Sequence, residues 1–365
     1  MRMIGLDVGN GSTCEAVRIE DGRLGVKEFP STFGVFERSK ATKAIGSERN
    51  TMAPVDVYGF EGREYVLSYR QIVEAGSTPI NTYGRENRVE LPSYQLLTKL
   101  SLLDTATTLW TGSGAIEIGL ALGVPNEDYR TSVLNPMRDW FKEPIVGTKN
   151  GKQVIVMVKR IEFLSQPLAV VVDALYDKNG VVVDAKLERE NILVIDSGAG
   201  TLDLTELRGM KVQSKVSEAI GMNDVYKAII DDIRDRDPKV RVDAYDLEFQ
   251  LRSHAPGEAL VYKYGATKIP IDEIYQQAKR DVGAAMIGYI ERHFPDRTRF
   301  DRILLAGGTG DAFSDLFTAW HPQIVKSDKP QLAIARGLCK YVTAVAAAAE
   351  GEVEASSSEA GVEIE

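Results

Sequence analysis

Two stretches of this sequence share one arrangement of acid, glycines and hydroxyls. Residues 192–203 read ILVIDSGAGTLD: an apolar run stops at Asp196, followed by Ser197, Gly198, Ala199, Gly200, Thr201 and a second acid, Asp203. Residues 4–13 read IGLDVGNGST, with Asp7 closing the run before Gly9, Asn10, Gly11, Ser12 and Thr13. A buried strand that ends at an acid and gives way to small residues brings bare backbone N–H groups against a phosphate. One such segment reads equally well as a hairpin turn whose glycines serve a positive φ. Two copies with common spacing, far apart in the chain, suggest two lobes closing on one phosphate tail.

Two further stretches carry candidate site residues. Residues 302–311, RILLAGGTGD, run from a strand into Gly307, Gly308 and Thr309. Glycines there let a planar base or ribose lie against the backbone, although a plain strand-to-helix turn has the same composition. Ser165-Gln166-Pro167 ends another strand, and Pro167 suits the first position of the apolar helix that follows at 168–176. Gln166 either caps that helix, faces solvent or serves the site.

The elements that must position these residues follow from periodicity and punctuation. Strands are predicted at 3–8, 14–19 and 24–29, the last pair turning at Asp21-Gly22, which makes a meander around the first glycine turn. From 30 to 90 the pattern loosens into a small exposed subdomain with short strands at 55–60 and 64–67. A helix at 93–110 ends before Thr111-Gly112-Ser113-Gly114, and a strand follows at 115–124. A helix at 130–140 is limited or kinked by Pro136. Strands are predicted at 154–163, 181–187, 191–195, 202–207 and 215–220, and helices at 225–233, 271–293, 312–320 and 331–342. Residues 247–251 and 259–264 are ambiguous. Residues 348–365, rich in Ala, Glu, Ser and Gly, have the composition of a disordered acidic tail.

The composition bounds what these motifs can mean. With 365 residues the chain is long enough for two domains, each with its own core. A hydrophobic share of 44% with 27% charged residues is that of an ordinary globular protein. A net charge of -9 argues against direct nucleic-acid binding, so contact with DNA would need an adaptor. Cys14 and Cys339 form no C-x-x-C and read as reduced, packed thiols. No apolar run approaches the roughly 18 residues of a membrane helix, and the first residues show no signal-peptide pattern, which places the protein in the cytoplasm.

The duplicated loop resembles the actin, Hsp70 and sugar-kinase superfamily. The order of signals (phosphate turn, variable small subdomain, Gln-bearing helix, second phosphate turn, Gly-Gly turn, A-x-A-R-G helix) is similar to the prokaryotic actin-like proteins of the ParM-like plasmid-segregation and archaeal group. VIDSGAGTLDLTEL and AIARGLCKY carry that narrower resemblance. Ser197 and Ala199 depart from it, standing where many relatives have further glycine.

The resemblance implies an α/β, two-lobe ATPase fold with duplicated mixed-sheet, RNase H-like domains around a nucleotide cleft. Lobe I would be 1–165 plus 331–347, and lobe II 166–330, opening with the connecting helix 166–176. It also implies ATP, or GTP, with Mg2+ held near Asp7 and Asp196 through water. Residues 9–13 and 197–201 would be the phosphate turns, and Gly307, Gly308 and Thr309 the nucleoside side. Gln166 would orient the attacking water, since its amide can accept from water while donating elsewhere. The activity implied is nucleotide-driven homopolymer formation, with hydrolysis weakening the filament and a DNA-bound adaptor as a further partner. A small-molecule kinase of the same fold would need a catalytic acid that no residue here identifies. An Hsp70-like switch would need a long peptide-binding portion after the nucleotide domain.

Overall fold

The computed structural model describes residues 1–19, 22–37, 55–67, 69–82, 88–110, 114–255 and 257–360, with 351–360 as backbone. Asp21 and residues 111–113, expected in turns, lie outside the described residues. The chain divides into two compact units: Met1–Glu188 with Leu332–Glu365, and Arg189–Gln331.

The first unit opens with β1 (Arg2–Val8), β2 (Ser12–Arg18), β3 (Leu24–Pro30), β4 (Thr32–Val35), β5 (Tyr58–Phe60), β6 (Arg63–Leu67), α1 (Tyr69–Glu74) and β7 (Ile80–Asn81). It continues with α2 (Pro92–Leu109), β8 (Ala115–Val124), α3 (Thr131–Asp139), β9 (Ile145–Lys149), β10 (Lys152–Ser165) and α4 (Gln166–Leu175). Its sheet runs β3-β2-β1-β8-β10-β9-β5-β6-β4-β7. β1 pairs antiparallel with β2 and parallel with β8, and β8 runs parallel to β10. Three strands therefore end at one edge, at Val8, Val124 and Ser165. The described residues between 30 and 90 are less separate than the composition suggests. β5 pairs with β9, and Phe33, Tyr58, Phe60, Tyr65 and Leu67 join the core that holds Ile4 and Leu6.

The second unit holds β11 (Asn191–Ser197), β12 (Leu202–Arg208), β13 (Lys211–Glu218), α5 (Met222–Arg236), α6 (Ala244–Arg252), β14 (Val261–Tyr264), β15 (Thr267–Pro270), α7 (Asp272–His293), β16 (Arg302–Ala306), α8 (Ser314–Trp320) and β17 (Ile324–Lys326). Its main sheet, β13-β12-β11-β16-β17, repeats the pattern of β3-β2-β1-β8-β10: an antiparallel meander whose first strand runs parallel to the next two. The duplicated mixed-sheet fold is thus present in both units. α6 resolves one ambiguous stretch as helix, because the Asp243 side chain accepts from the N–H groups of Tyr245 and Asp246 at its start.

Three expectations need correction. Residues 181–187 form no strand: only Val182 bridges to Tyr176, a 3-10 turn takes Ala185–Glu188, and Val181 and Val183 are exposed. The connecting helix α4 belongs to the first unit, because its apolar face packs on the C-terminal helix and on β8 and β10. That last helix, α9, spans Ala333–Ala360 and takes in much of the segment expected as a disordered tail. Alanine and glutamate favour helix even where hydrophobic periodicity has been lost.

α9 also holds the kind of long apolar run that the sequence was expected to lack. The stretch Pro330–Glu350 is long and apolar enough to cross a membrane, with a mean hydropathy of 1.4. Its apolar character has a local cause: Ala333, Ala335, Leu338, Cys339 and Val342 are buried, and the helix packs on β1, β2, β8 and α4. The approach is close. A Cβ built on Gly5 of β1 would lie 2.2 Å from the Ala335 carbonyl oxygen, and one on Gly337 would lie 1.8 Å from that of Ala169. Asp173 of α4 pairs with Arg336 and Lys340, each at 2.7 Å, across the same crossing.

A buried carboxylate lies under the first sheet. Glu15 of β2 is 1% exposed, and its Oε2 accepts from Thr105 of α2 while Oε1 has no partner. Lys27 is its cross-strand neighbour and itself contacts Asp104, which also binds Lys149 and the Tyr58 hydroxyl. Burial pushes the Glu15 carboxyl up to about 7, against the pull of Lys27 and Thr105. The folded state therefore holds a proton that the unfolded chain has released, so this contribution is present at acid pH and fades as pH rises through that value. Glu15→Gln should flatten the dependence. Between about pH 5 and pH 8 the wild-type melting temperature should fall relative to the variant, by an amount worth roughly 1–3 kcal/mol. Parallel profiles would mean that Glu15 is ionised throughout.

Candidate functional site

Strand ends place the first set of candidate residues. Asp7 is the penultimate residue of β1, opposite Cys14, and Val8 faces Thr13. Residues 9–12 close the hairpin, the Gly9 N–H donating to the Ser12 carbonyl at 2.9 Å. β10 ends at Ser165 beside Val124, so Gln166 starts α4 at the same sheet edge. Its Nε2 donates to Asp7 Oδ1 at 2.8 Å. The amide oxygen of Gln166 keeps its own accepting capacity. Asp7 is 5% exposed, and burial pushes its carboxyl up to about 6, against the hydrogen bond from Gln166 and the charge of Arg88.

Arg88 has no place in the sequence reading. It is 4% exposed, and its Nη1 donates to the Val8 carbonyl at 2.6 Å while Nη2 donates to the Gly9 carbonyl. Nε donates to the Thr82 carbonyl at 2.8 Å, Nη2 also reaches the Thr82 hydroxyl at 3.1 Å, and the guanidinium lies over the Tyr94 ring. Ser31 adds its hydroxyl to the Gly9 carbonyl at 2.5 Å and its N–H to the Gly11 carbonyl at 3.0 Å. In sequence, Arg88 is one charge in a polar stretch, and nothing marks it as buried.

The second unit repeats the turn. Asp196 and Ser197 end β11, opposite Asp203 and Leu202, and the Gly198 N–H donates to the Thr201 carbonyl at 2.8 Å. Because directly opposed residues of an antiparallel pair share a face, the Asp196 and Asp203 side chains lie side by side. Burial raises the Asp203 carboxyl, and the Thr201 hydroxyl donates to it at 2.8 Å. The Ala199 carbonyl accepts from the Asn223 N–H at the start of α5, at 2.8 Å.

The Gly-Gly turn sits against this loop. β16 runs parallel to β11 with Ala306 beside Asp196. Gly307 follows with φ +93, and a Cβ there would lie 2.3 Å from Asp196 Oδ1 and from the Ser197 carbonyl oxygen. Only a residue without a side chain meets both demands. Gly308 is exposed, whereas Thr309 is 6% exposed. The Thr309 hydroxyl donates to the Ser197 carbonyl at 2.8 Å, lies 3.1 Å from the Gly198 carbonyl and 2.7 Å from the Ser197 hydroxyl, and its N–H reaches the Ser197 carbonyl at 2.9 Å. The side chains of Ser197 and Thr309 are thus spent on each other and on the turn.

A divalent cation is the metal these donors suit. Among the described residues no cluster of three His, Cys, Asp or Glu could cage an ion. Mg2+ does not require one, since it keeps several waters and takes one or two carboxylates together with phosphate oxygens. Asp7 and Asp196, each at a strand end beside a glycine turn, provide that donor type.

Comparisons with known proteins agree with this architecture. Residues 5–168 match the family described as actin-like proteins, N-terminal domain. No curated protein matches the chain. Among solved structures, the chain is similar to the apo pSK41 ParM protein, with a TM-score of 0.72 and 17% identity over 96% of this chain and 99% of that one. It is also similar to Bacillus thuringiensis ParM with ATP (TM-score 0.68, 13% identity, 94% and 98% covered). A third is the 15-stranded ParM filament from Clostridium botulinum (TM-score 0.68, 16% identity, 93% and 98% covered). The chain therefore has an actin-like fold similar to that of the ParM structures, and its residues 5–168 match the N-terminal domain of the actin-like proteins.

Proposed function

We propose that this chain is a nucleotide-dependent filament protein that binds Mg-ATP through its two glycine turns, hydrolyses it, and assembles and disassembles with that cycle. One observation carries the reading. In both units a strand ends at an aspartate and turns through a glycine whose N–H closes on the residue three positions later, at 2.9 Å in one and 2.8 Å in the other. Of the solved relatives, one was determined with ATP and another is a filament. Magnesium, held through water by Asp7 and Asp196, would supply charge neutralisation at the phosphates. Phosphoryl transfer asks chiefly for positioning and charge stabilisation. Gln166, donating to Asp7 through Nε2, would accept from a water through its amide oxygen. Head-to-tail contacts that do not close into a ring give an open filament.

The test is sedimentation with light scattering and phosphate release followed in parallel, in Mg2+ with ATP, GTP, ADP or no nucleotide. Scattering that rises only with triphosphate above a critical protein concentration, ahead of phosphate release, supports the reading. Nucleotide binding without assembly across protein concentration and salt would end the filament claim. Gln166→Ala should bind ATP normally and release phosphate roughly 10- to 100-fold more slowly. Unchanged turnover would remove Gln166 from the reaction.

A further inference from the structure

The two turns are equivalent in strand register, so the groups behind them can be compared atom by atom. Val8 and Gly9 of the first correspond to Ser197 and Gly198 of the second, each pair following the strand-end aspartate. In the first, Arg88 donates to the carbonyls of both residues. In the second, the Thr309 hydroxyl donates to the Ser197 carbonyl, which also accepts from the Thr309 N–H, and lies 3.1 Å from the Gly198 carbonyl. Two unrelated side chains, a guanidinium from the segment before α2 and a hydroxyl from the turn after β16, take the same place.

Peptide planarity gives that place a consequence. In a trans peptide the carbonyl and the following N–H point in opposite directions. Drawing the Val8 and Gly9 carbonyls toward Arg88 turns the Gly9 and Asn10 N–H groups away from it, and Thr309 does the same for the Gly198 and Ala199 N–H groups. Glycine-rich turns left alone would sample several orientations of these peptides. We infer that Arg88 and Thr309 are positioning residues: by holding the peptides behind each turn they keep the Gly9 and Gly198 N–H groups on the Ser12 and Thr201 carbonyls, and so fix the shape of the turn that an anion would meet. This rests on the nucleotide reading for the identity of the anion, but not for the clamp itself.

The two clamps differ in charge. Arg88 is buried among Thr82, Tyr94 and the turn, with Asp7 and Asp128 the acids that act on its charge. It adds a positive charge behind the first turn, whereas Thr309 adds only dipoles behind the second. Loss of the first clamp should therefore weaken binding in proportion to ligand charge, and loss of the second should do so less steeply.

The experiment uses the full chain without nucleotide and reads amide hydrogen exchange residue by residue. In Arg88→Lys, where a single ammonium replaces a fork that spans two carbonyls, the Gly9 amide should exchange at least about tenfold faster, with Gly198 unchanged. In Thr309→Val the pattern should reverse, and Thr309→Ser, which restores the hydroxyl, should restore protection of Gly198. Should Arg88→Lys fail to fold, the Thr309 pair decides. Exchange at Gly9 and Gly198 that stays at the wild-type rate in these variants would overturn the clamp. A fluorescent ATP analogue is then titrated against each protein. Failure of the wild type to bind it would refute the nucleotide reading and leave the exchange result standing on its own. With binding, Arg88→Lys should lose about tenfold for the triphosphate and less for the monophosphate.

Discussion

Asp196→Ala should fold, bind nucleotide and release phosphate at least about a hundredfold more slowly than wild type, the usual scale for removing a group that acts on the attacking water or its metal. The fold should survive because the aspartate stands at the end of β11, half-buried, after the strand's apolar residues have been placed in the core. The variant opens space beside Gly307 rather than inside that core. Asp203→Asn is the control for a purely local electrostatic effect, since it alters the neighbouring carboxylate and keeps the shape. Single-turnover phosphate release with ATP at saturation separates the two. A fall confined to Asp196→Ala supports its assignment, whereas wild-type turnover would remove the residue from the chemistry.

Gly337→Ala should destabilise the first unit by at least about 3 kcal/mol, lowering its melting temperature by roughly 6–12 °C. The sign makes this informative. Glycine inside a helix normally costs about 1 kcal/mol relative to alanine, so the substitution should stabilise wherever there is room. At Gly337 there is none: the new Cβ would stand 1.8 Å from the Ala169 carbonyl oxygen, and α4 and α9 would have to separate. Separation would also stretch the Asp173 pairs with Arg336 and Lys340. Gly288 in α7 is the matched control, because nothing lies within 4 Å of its built Cβ. Alanine there should raise stability by roughly 0.5–1 kcal/mol. Calorimetry on both variants checks the pair, and a neutral Gly337→Ala would show that the helix crossing is slack.

What the sequence reveals here follows the range of the interactions involved. The glycine turns were legible because acid, glycines and hydroxyl lie within eight residues, and β1 and β11 because their apolar runs are continuous. Arg88 was not, since the two turn carbonyls it binds lie 79 and 80 residues away and are backbone, which no side-chain pattern encodes. Thr309 is legible as part of the Gly-Gly turn, but the contact of its hydroxyl with Ser197, 112 residues away, is not. Residues 181–183 show the opposite failure. Three valines in a row carry strand propensity, but with only one bridge to pair with they stay on the surface. β9 was missed because Gly147 and two polar residues interrupt it, and it forms through the ladder that β10 offers. Helix beyond residue 347 leaves no hydrophobic period in the sequence, and alanine content is enough to form it.

The division of the chain orders its own assembly. Residues 189–331 are one continuous segment with its own sheet and core, whereas the first unit is made from both ends of the chain. β1 meets α9 at Gly5 and Ala335, so this strand waits for a helix that follows the whole second unit in the chain. Loop closure over that span costs entropy that local pairing does not. The second unit can therefore be native while the first still exposes the side of β1, β2 and β8 that α9 will cover. During synthesis, that uncovered apolar face is where the nascent chain is most open to misassociation, until the second unit has been made and α9 after it.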